Sequence, residues 1–194
     1  ETDIKYAKEF GYVIKLLGVA KNTEDGIEVK VHPMLIPNNH PLANVNDAFN
    51  AVFVHGKAMD DAMFMGRGAG QMPTASAVVG DIIDVCRNIV HDSCGRIGCC
   101  CYKNLEVKDI TDTKSKFFLR LEVADKQGVL ANIASVLGNS GVSIAQVVQK
   151  SGKDGVAELV IITAEVLEKN FNDAMAVFKG LSAVKNIAGV IRVY

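Results

Sequence analysis

Two segments of the chain alternate apolar and polar residues with the two-residue period of a β-strand. They run from Ile27 to His32 and from Phe117 to Val123. Because successive side chains of a strand point to opposite faces, each segment is predicted to be half buried. Shorter apolar runs predict further strands at residues 13–21, 49–54, 62–65, 142–150, 156–163 and 187–194. Three prolines, Pro33, Pro37 and Pro41, predict an irregular path after the first alternating segment.

Apolar residues recur at helical spacing in four other segments. A short helix is predicted over residues 3–10, where Gly11 ends it, and a longer one over 73–87. A third follows Gly128, and the fourth is marked by apolar residues between Leu167 and Leu181. The second half of the chain therefore has the order βαββαβ, with a hairpin turn at 151–155. Right-handed crossovers then give a four-stranded antiparallel sheet with both helices on one face.

The region between the two halves has no sustained periodicity. Residues 88–113 mix His, Asp, Ser, Gly, Cys and Lys, as a connector does. We therefore predict a first domain at 1–88, a linker at 89–116 and a second domain at 117–194, in an α+β chain.

Composition narrows the classes of function. The net charge is −1 and no Lys/Arg run supplies a basic patch, so neither nucleic acid nor a membrane surface is an expected partner. No apolar run approaches the roughly 20 residues needed to span a bilayer. The first residue is Glu1 rather than Met, from which we expect a processed or truncated start.

Four of the five cysteines are Cys94 and Cys99–Cys101. Three in succession fit neither a regular disulfide framework nor the Cys-x-x-Cys spacing of a zinc site. A metal cluster that also uses His91 stays open, but reduced thiols in a cytoplasmic protein are favoured and no metal ligand is predicted. The four histidines have no repeated metal-ligand spacing, and adjacent Asp60 and Asp61 would point to opposite faces of a strand.

A glycine-spaced loop, Gly66 to Gly70, separates a predicted strand from the helix that opens with Pro73 and Thr74. Such a loop exposes backbone N–H groups and the positive end of a helix to a ligand. It lacks the Gly-Lys-Ser/Thr of a phosphate-binding loop, and Gln71 replaces the third glycine of G-x-G-x-x-G. The pattern alone is compatible with a tight turn or with a ligand contact.

With its flanks, this loop resembles a known family. The segments DIKYAKEFGYVIKLLGVAK, IEVKVHPMLIPNNHPLANVNDAFNAVFVHG and MFMGRGAGQMPTASAVVGDI resemble the C-terminal part of the catalytic region of bacterial homoserine dehydrogenase. The resemblance implies a mixed sheet with helices, and an NAD- or NADP-dependent enzyme that interconverts homoserine and aspartate 4-semialdehyde on the route to threonine, isoleucine and methionine. It places Gly70 beside the nicotinamide cofactor. The nucleotide-binding fold, substrate carboxylates and catalytic lysine would precede residue 1, so no catalytic residue is assigned and this portion alone is expected to be inactive and to bind no cofactor.

The second half resembles an ACT domain, the ferredoxin-like fold that binds regulatory amino acids. The motif is Asp125-x-x-Gly128-Val129-Leu130-x-x-Ile133, followed by Gly141-x-Ser143-Ile144. The resemblance implies a threonine site between paired domains and a homodimer or larger oligomer, with contacts from Asp125, Gly128, Val129, Leu130 and Asn132. The alternative is that Asp125 only caps the helix or the turn while Gly128 supplies backbone freedom. Val129, Leu130 and Ile133 are expected mainly in the core.

The most direct hypothesis is a portion of homoserine dehydrogenase that retains oligomerisation and threonine regulation. The alternative is a stand-alone ACT-type amino-acid sensor without enzymatic activity.

Overall fold

The computed structural model describes residues 1–95, 98, 104–151 and 154–194. They fall into two compact units. The larger unit combines residues 1–38 with 105–194, and the smaller unit contains residues 39–104.

The larger unit contains a mixed sheet. Its strands are β1 (Tyr12–Thr23), β2 (Gly26–Pro37), β5 (Lys114–Ala124), β6 (Ile144–Ser151), β7 (Val156–Thr163) and β9 (Val184–Val193), in the order β1-β2-β9-β5-β7-β6. The two-residue strand β8 (Val166–Leu167) pairs with the beginning of β5. All neighbours are antiparallel except β2 and β9, which pair in parallel at Met34 with Arg192 and Leu35 with Val193.

The described residues of this unit also form the helices α1 (Thr2–Glu9), α3 (Val129–Asn139) and α4 (Glu168–Gly180). The predicted βαββαβ order of the second half is confirmed, since β5, α3, β6, β7, α4 and β9 follow one another. A 3₁₀ turn at Ile110–Asp112 leads into β5. The apolar stripe of α3 and α4 packs on one face of the sheet, against Phe117, Leu119, Leu121 and Val123 of β5.

The opposite face of β5 was predicted to be exposed, and this was wrong. Phe118 has no exposed surface. It packs in a second apolar cluster with Tyr6 and Ala7 of α1 and Leu35 of β2. Sequence periodicity gives no information about a helix and a strand that reach this face from more than 80 residues away, so the strand is buried on both sides.

The predicted irregular path was wrong for residues 33–37, whereas residues 38–44 do form a turn and a 3₁₀ helix. β2 continues to Pro37 and pairs with β1 along its full length, and it buries Met34, Leu35 and Ile36. Because β9 borders β2 only at Met34 and Leu35, neither Pro33 nor Pro37 has to supply an amide proton to that neighbour.

The smaller unit contains an antiparallel hairpin and a long helix. β3 (Phe49–Gly56) pairs with β4 (Asp60–Arg67), and α2 (Gln71–Val90) follows. A short 3₁₀ helix, Pro41–Asn44, precedes β3. No residue of α2 is buried, and its exposed apolar side chains include Val78, Ile82 and Ile89.

Candidate functional site

The glycine loop of the smaller unit has a backbone that side chains would not fit. Gly70 has φ of 131°, in the region that L residues rarely adopt, and it directly precedes α2. A Cβ on Gly70 would lie 3.2 Å from Cδ of Pro73. A Cβ on Gly68 would lie only 1.9 Å from Nδ2 of Asn50, so the loop passes tightly over β3. The backbone conformation of Gly70 thus favours glycine, whereas the exposed side chain of Asn50 could move away from a Cβ on Gly68.

The beginning of α2 leaves backbone donors available. No side chain caps it, so the first-turn N–H groups of Gln71 and Met72 are open to an acceptor. Arg67 is less available, because its guanidinium lies 5.1 Å from the centre of the Phe49 ring.

The remaining polar groups of the smaller unit form no catalytic cluster among the described residues. His55 and Asp61 pair at 2.7 Å, but both are largely exposed. Nδ1 of His40 accepts from the N–H of Leu42 and its ring lies 4.9 Å from that of Phe53. Where the structure describes the chain, no group of three or more His, Cys, Asp or Glu could hold a metal. Cys94 is free and exposed, whereas Cys99–Cys101 lie outside the described residues.

In the larger unit, the junction of β5 and α3 contains the predicted regulatory residues. Gly128 caps α3 with φ of 82°, and no side chain caps this helix. The interpretation of Asp125 as a helix cap is therefore wrong. Asp125 is exposed, and its backbone N–H donates to Gly155 at 2.9 Å. Its carboxylate remains available beside the open N–H groups of the first turn of α3.

The other residues of this junction differ in how far they are buried. Val129 is 8 % exposed and belongs to the core, as predicted. Leu130 was predicted to be mainly core, which is wrong, because it is 39 % exposed. Asn132 is also exposed, and its N–H donates to the carbonyl of Gly128. Asp125, Leu130 and Asn132 thus present a polar and apolar surface around the start of α3.

A buried ion network, not predicted from the sequence, lies elsewhere in this unit. Glu168, the first residue of α4, is 2 % exposed. Arg192 of β9 donates to both of its oxygens, from Nε at 2.7 Å and Nη2 at 2.6 Å. Ser115 donates to Oε1 at 2.7 Å. Lys30 of β2 has Nζ 3.8 Å from Oε1 and donates to Ser115 and to the carbonyl of Lys114.

This environment determines the charge of Glu168. Burial raises the pKa of its carboxyl, but the bonds from Arg192 and Ser115 and the charge of Lys30 outweigh burial and leave that pKa below its usual value. Burial lowers the pKa of Lys30, and Glu168 and Glu28 oppose that effect. Nearby, burial and the charge of Arg192 lower the pKa of His32, whose Nε2 is buried without a partner among the described residues.

A second network holds α1 to the opposite face of the sheet. Arg120 donates to Asp3 of α1 and to Glu158 of β7, each at 2.8 Å. The hydroxyl of Tyr6 also donates to Glu158. Burial, followed by this bond, raises the pKa of Tyr6 to about 12. Residues 1–38 are therefore attached to the second half of the chain by charged groups as well as by apolar packing.

Comparisons with known proteins agree with both halves of this architecture. Residues 1–83 match the family model described as homoserine dehydrogenase, and residues 111–192 match that of the ACT domain. Homoserine dehydrogenase of Pseudomonas aeruginosa is 39% identical, over 98% of this chain and 46% of the relative. That of Neisseria gonorrhoeae is 41% identical, over 98% of this chain and 45% of the relative.

Solved structures show the same relationship. A homoserine dehydrogenase from Thiobacillus denitrificans superposes with a TM-score of 0.90 at 39% identity, covering 100% of this chain and 45% of that one. The enzyme from S. aureus gives a TM-score of 0.63 at 28% identity, with 100% and 44% covered.

The fold and these matches define a two-part chain in which an ACT domain follows a region similar to part of homoserine dehydrogenase. Residues 1–83 belong to the homoserine dehydrogenase family and residues 111–192 to the ACT domain family, and the chain spans about half the length of the curated relatives it matches. Among the described residues, every helix is too short or too polar to cross a membrane.

The Glu168 network generates a stability prediction. Glu168→Gln removes the charge that Arg192 and Lys30 face, and we expect a loss of about 3 kcal/mol in the free energy of unfolding at neutral pH, measured by urea denaturation. Because the folded-state pKa of Glu168 is lowered, its stabilisation is present above the ordinary carboxyl pKa and is lost as the pH falls through the folded value. The difference between the wild-type protein and the variant should therefore shrink in acid.

The matched control is Glu165→Gln, an exposed glutamate three residues earlier in the chain. Its effect should stay within about 0.5 kcal/mol. Equal effects of the two substitutions, or a Glu168 effect that does not change with pH, would contradict this account of the network.

Proposed function

We propose that this chain works as part of a homoserine dehydrogenase, which interconverts L-homoserine and L-aspartate 4-semialdehyde with NAD or NADP. The observation that carries the proposal is the alignment of 98% of the chain with relatives of that name. The two matched families also occur in the same order along the chain. This favours the enzyme over a stand-alone amino-acid sensor, since a sensor would not need residues 1–83.

The part played by the smaller unit in this activity is to hold the cofactor ring. The proposed contact is the backbone of Gly70, which offers a surface without a side chain next to the open end of α2. The cofactor supplies the hydride chemistry, and this chain contributes position and exclusion of water. The catalytic lysine and nucleotide-binding fold are assigned to residues outside these 194, so this portion alone should be inactive.

A substitution at Gly70 tests this function. The longest continuous reading frame that contains these residues should have homoserine-dependent reduction of a nicotinamide cofactor, followed by absorbance. Gly70→Ala adds a Cβ at a φ of 131° and should raise KM for the cofactor by roughly tenfold, with a smaller effect on KM for homoserine.

Gly80→Ala in the exposed helix α2 is the control, because its Cβ meets nothing within 4 Å. It should leave both KM values unchanged. A reading frame without dehydrogenase activity, or an equal KM for the cofactor in both variants, would contradict the proposal.

We propose that residues 1–88 are the catalytic portion, residues 89–116 a linker and residues 117–194 the ACT domain. We further propose that the ACT domain binds threonine and pairs with a second copy. The ammonium group would meet Asp125 and Asn132, and the carboxylate would meet the first N–H groups of α3 after Gly128. Val129 supports this turn from the core, while exposed Leu130 supplies apolar contact across a pair of domains. Threonine would then inhibit a cytoplasmic biosynthetic enzyme by favouring one arrangement of the pair.

Isothermal titration of threonine into the 194-residue protein tests the regulatory site. Asp125→Asn removes the proposed partner of the ammonium group and should weaken binding by roughly tenfold. Asp173→Asn, at an exposed position of α4, is the matched control and should not change the affinity. Methionine and isoleucine serve as comparison ligands. Absence of saturable heat from folded protein, or equal affinity in both variants, would rule out this site.

A further inference from the structure

A cavity of about 290 Å³ lies in the larger unit, away from the β5–α3 junction. Its walls come from the β1–β2 hairpin, from the beginning of β5 and from the end of β9. The lining side chains include Val19, Lys21, Met34, Lys114, Lys116 and Val193. The volume is at the lower end of the range for small-molecule pockets, about 300 Å³.

The lining has a surplus of positive charge. Lys21, Lys114 and Lys116 make no ion pair among the described residues, and Glu165 is the unpaired acid that faces them. The other two charged residues of the lining, Glu28 and Lys30, pair with each other at 3.8 Å. Uncommitted ammonium groups around a partly enclosed space favour an anionic occupant, because low-dielectric walls strengthen their attraction.

Besides these charged residues and the polar Ser115 and Tyr194, the lining has an apolar part. Val19, Met34 and Val193 form this part, and Met34 and Val193 are each less than 10 % exposed. A fully hydrated ion such as phosphate gains nothing from such surface. A ligand with one carboxylate and a short hydrocarbon part would use the lysines and the apolar side chains together.

We propose that this cavity is a binding site for a small monocarboxylate with a branched aliphatic chain, at the place where the β1–β2 hairpin meets the ACT domain. The carboxylate is held by Lys21, Lys114 and Lys116, and the aliphatic part contacts Val19, Met34 and Val193. None of these residues belongs to the proposed threonine site, so the inference does not rest on the proposed function. A ligand held here contacts both β2 and β5, and it stabilises their association as any ligand stabilises the state that binds it.

The probe is 4-methylpentanoate, titrated at constant ionic strength into the 194-residue protein while amide NMR shifts are followed. Saturable shifts should occur at residues of the hairpin and of the start of β5. The neutral amide of the same acid and inorganic phosphate are titrated in parallel. Both should bind at least roughly fivefold more weakly, because each lacks one of the two interactions.

Variants separate the site from general surface attraction. The double substitution of Lys114→Gln and Lys116→Gln should weaken the binding of 4-methylpentanoate roughly fivefold or more. Lys179→Gln on α4, which does not line the cavity, should have no effect. Asp125→Asn should also leave this affinity unchanged, which distinguishes the cavity from the threonine site.

Val19 of β1 is half-buried, and Val19→Phe should fill the cavity and abolish saturable binding of 4-methylpentanoate. Thermal unfolding checks that this variant folds. Three results would overturn the proposal: shifts that are linear or spread over the surface, phosphate or the amide binding as well as the acid, and equal effects of the Lys114/Lys116 and Lys179 substitutions. If Val19→Phe does not fold, the lysine variants alone decide.

Discussion

The larger unit depends on one constraint: the carboxylate of Glu168 is buried and must be fully paired. A buried charge that loses its partner costs several kcal/mol, so the groups around it are fixed relative to one another. Those groups come from three separate places, Arg192 on β9, Ser115 on β5 and Lys30 on β2. The network therefore fixes where the β1–β2 hairpin lies on the ACT domain, and two of its residues, Lys30 and Ser115, also line the cavity.

On the other face of the sheet, apolar packing also attaches the β1–β2 hairpin to the ACT domain. Leu35 of β2 pairs with Val193 of β9. It also packs in one apolar cluster with Phe118 of β5 and Tyr6 of α1. Arg120 donates hydrogen bonds to Asp3 of α1 and to Glu158 of β7 beside this cluster. Residues 1–38 match the dehydrogenase family model, yet they pack with the ACT domain as one compact unit. The ACT domain and residues 1–38 are thus in direct contact, and the threonine inhibition proposed above would act through this contact.

The sequence predicts what depends on near neighbours. The alternation from Phe117 to Val123 gives β5, and the motif through Gly128 gives the turn into α3, because both are local consequences of side-chain period and backbone freedom. The same local reasoning left the loop from Gly66 to Gly70 open between a tight turn and a ligand contact, and the structure shows a φ of 131° at Gly70. It did not find Phe118 in a core or Glu168 in an ion network, since the partners of Glu168 include Ser115, 53 residues away, and Lys30, more distant still. It also did not predict that Leu130 is exposed, because the burial of a helix residue depends on which other elements pack against that position.

Native-state hydrogen exchange tests most directly the claim that residues 1–38 and the ACT domain form one cooperative unit. The amides of β2 that pair with β1 should open with the same free energy as those of β5, which is the global free energy of unfolding. Opening of the β1–β2 hairpin at a free energy several kcal/mol below that of β5 would contradict the account. The hairpin would then be an independent element, and neither the Glu168 network nor the Leu35 cluster would fix it to the ACT domain.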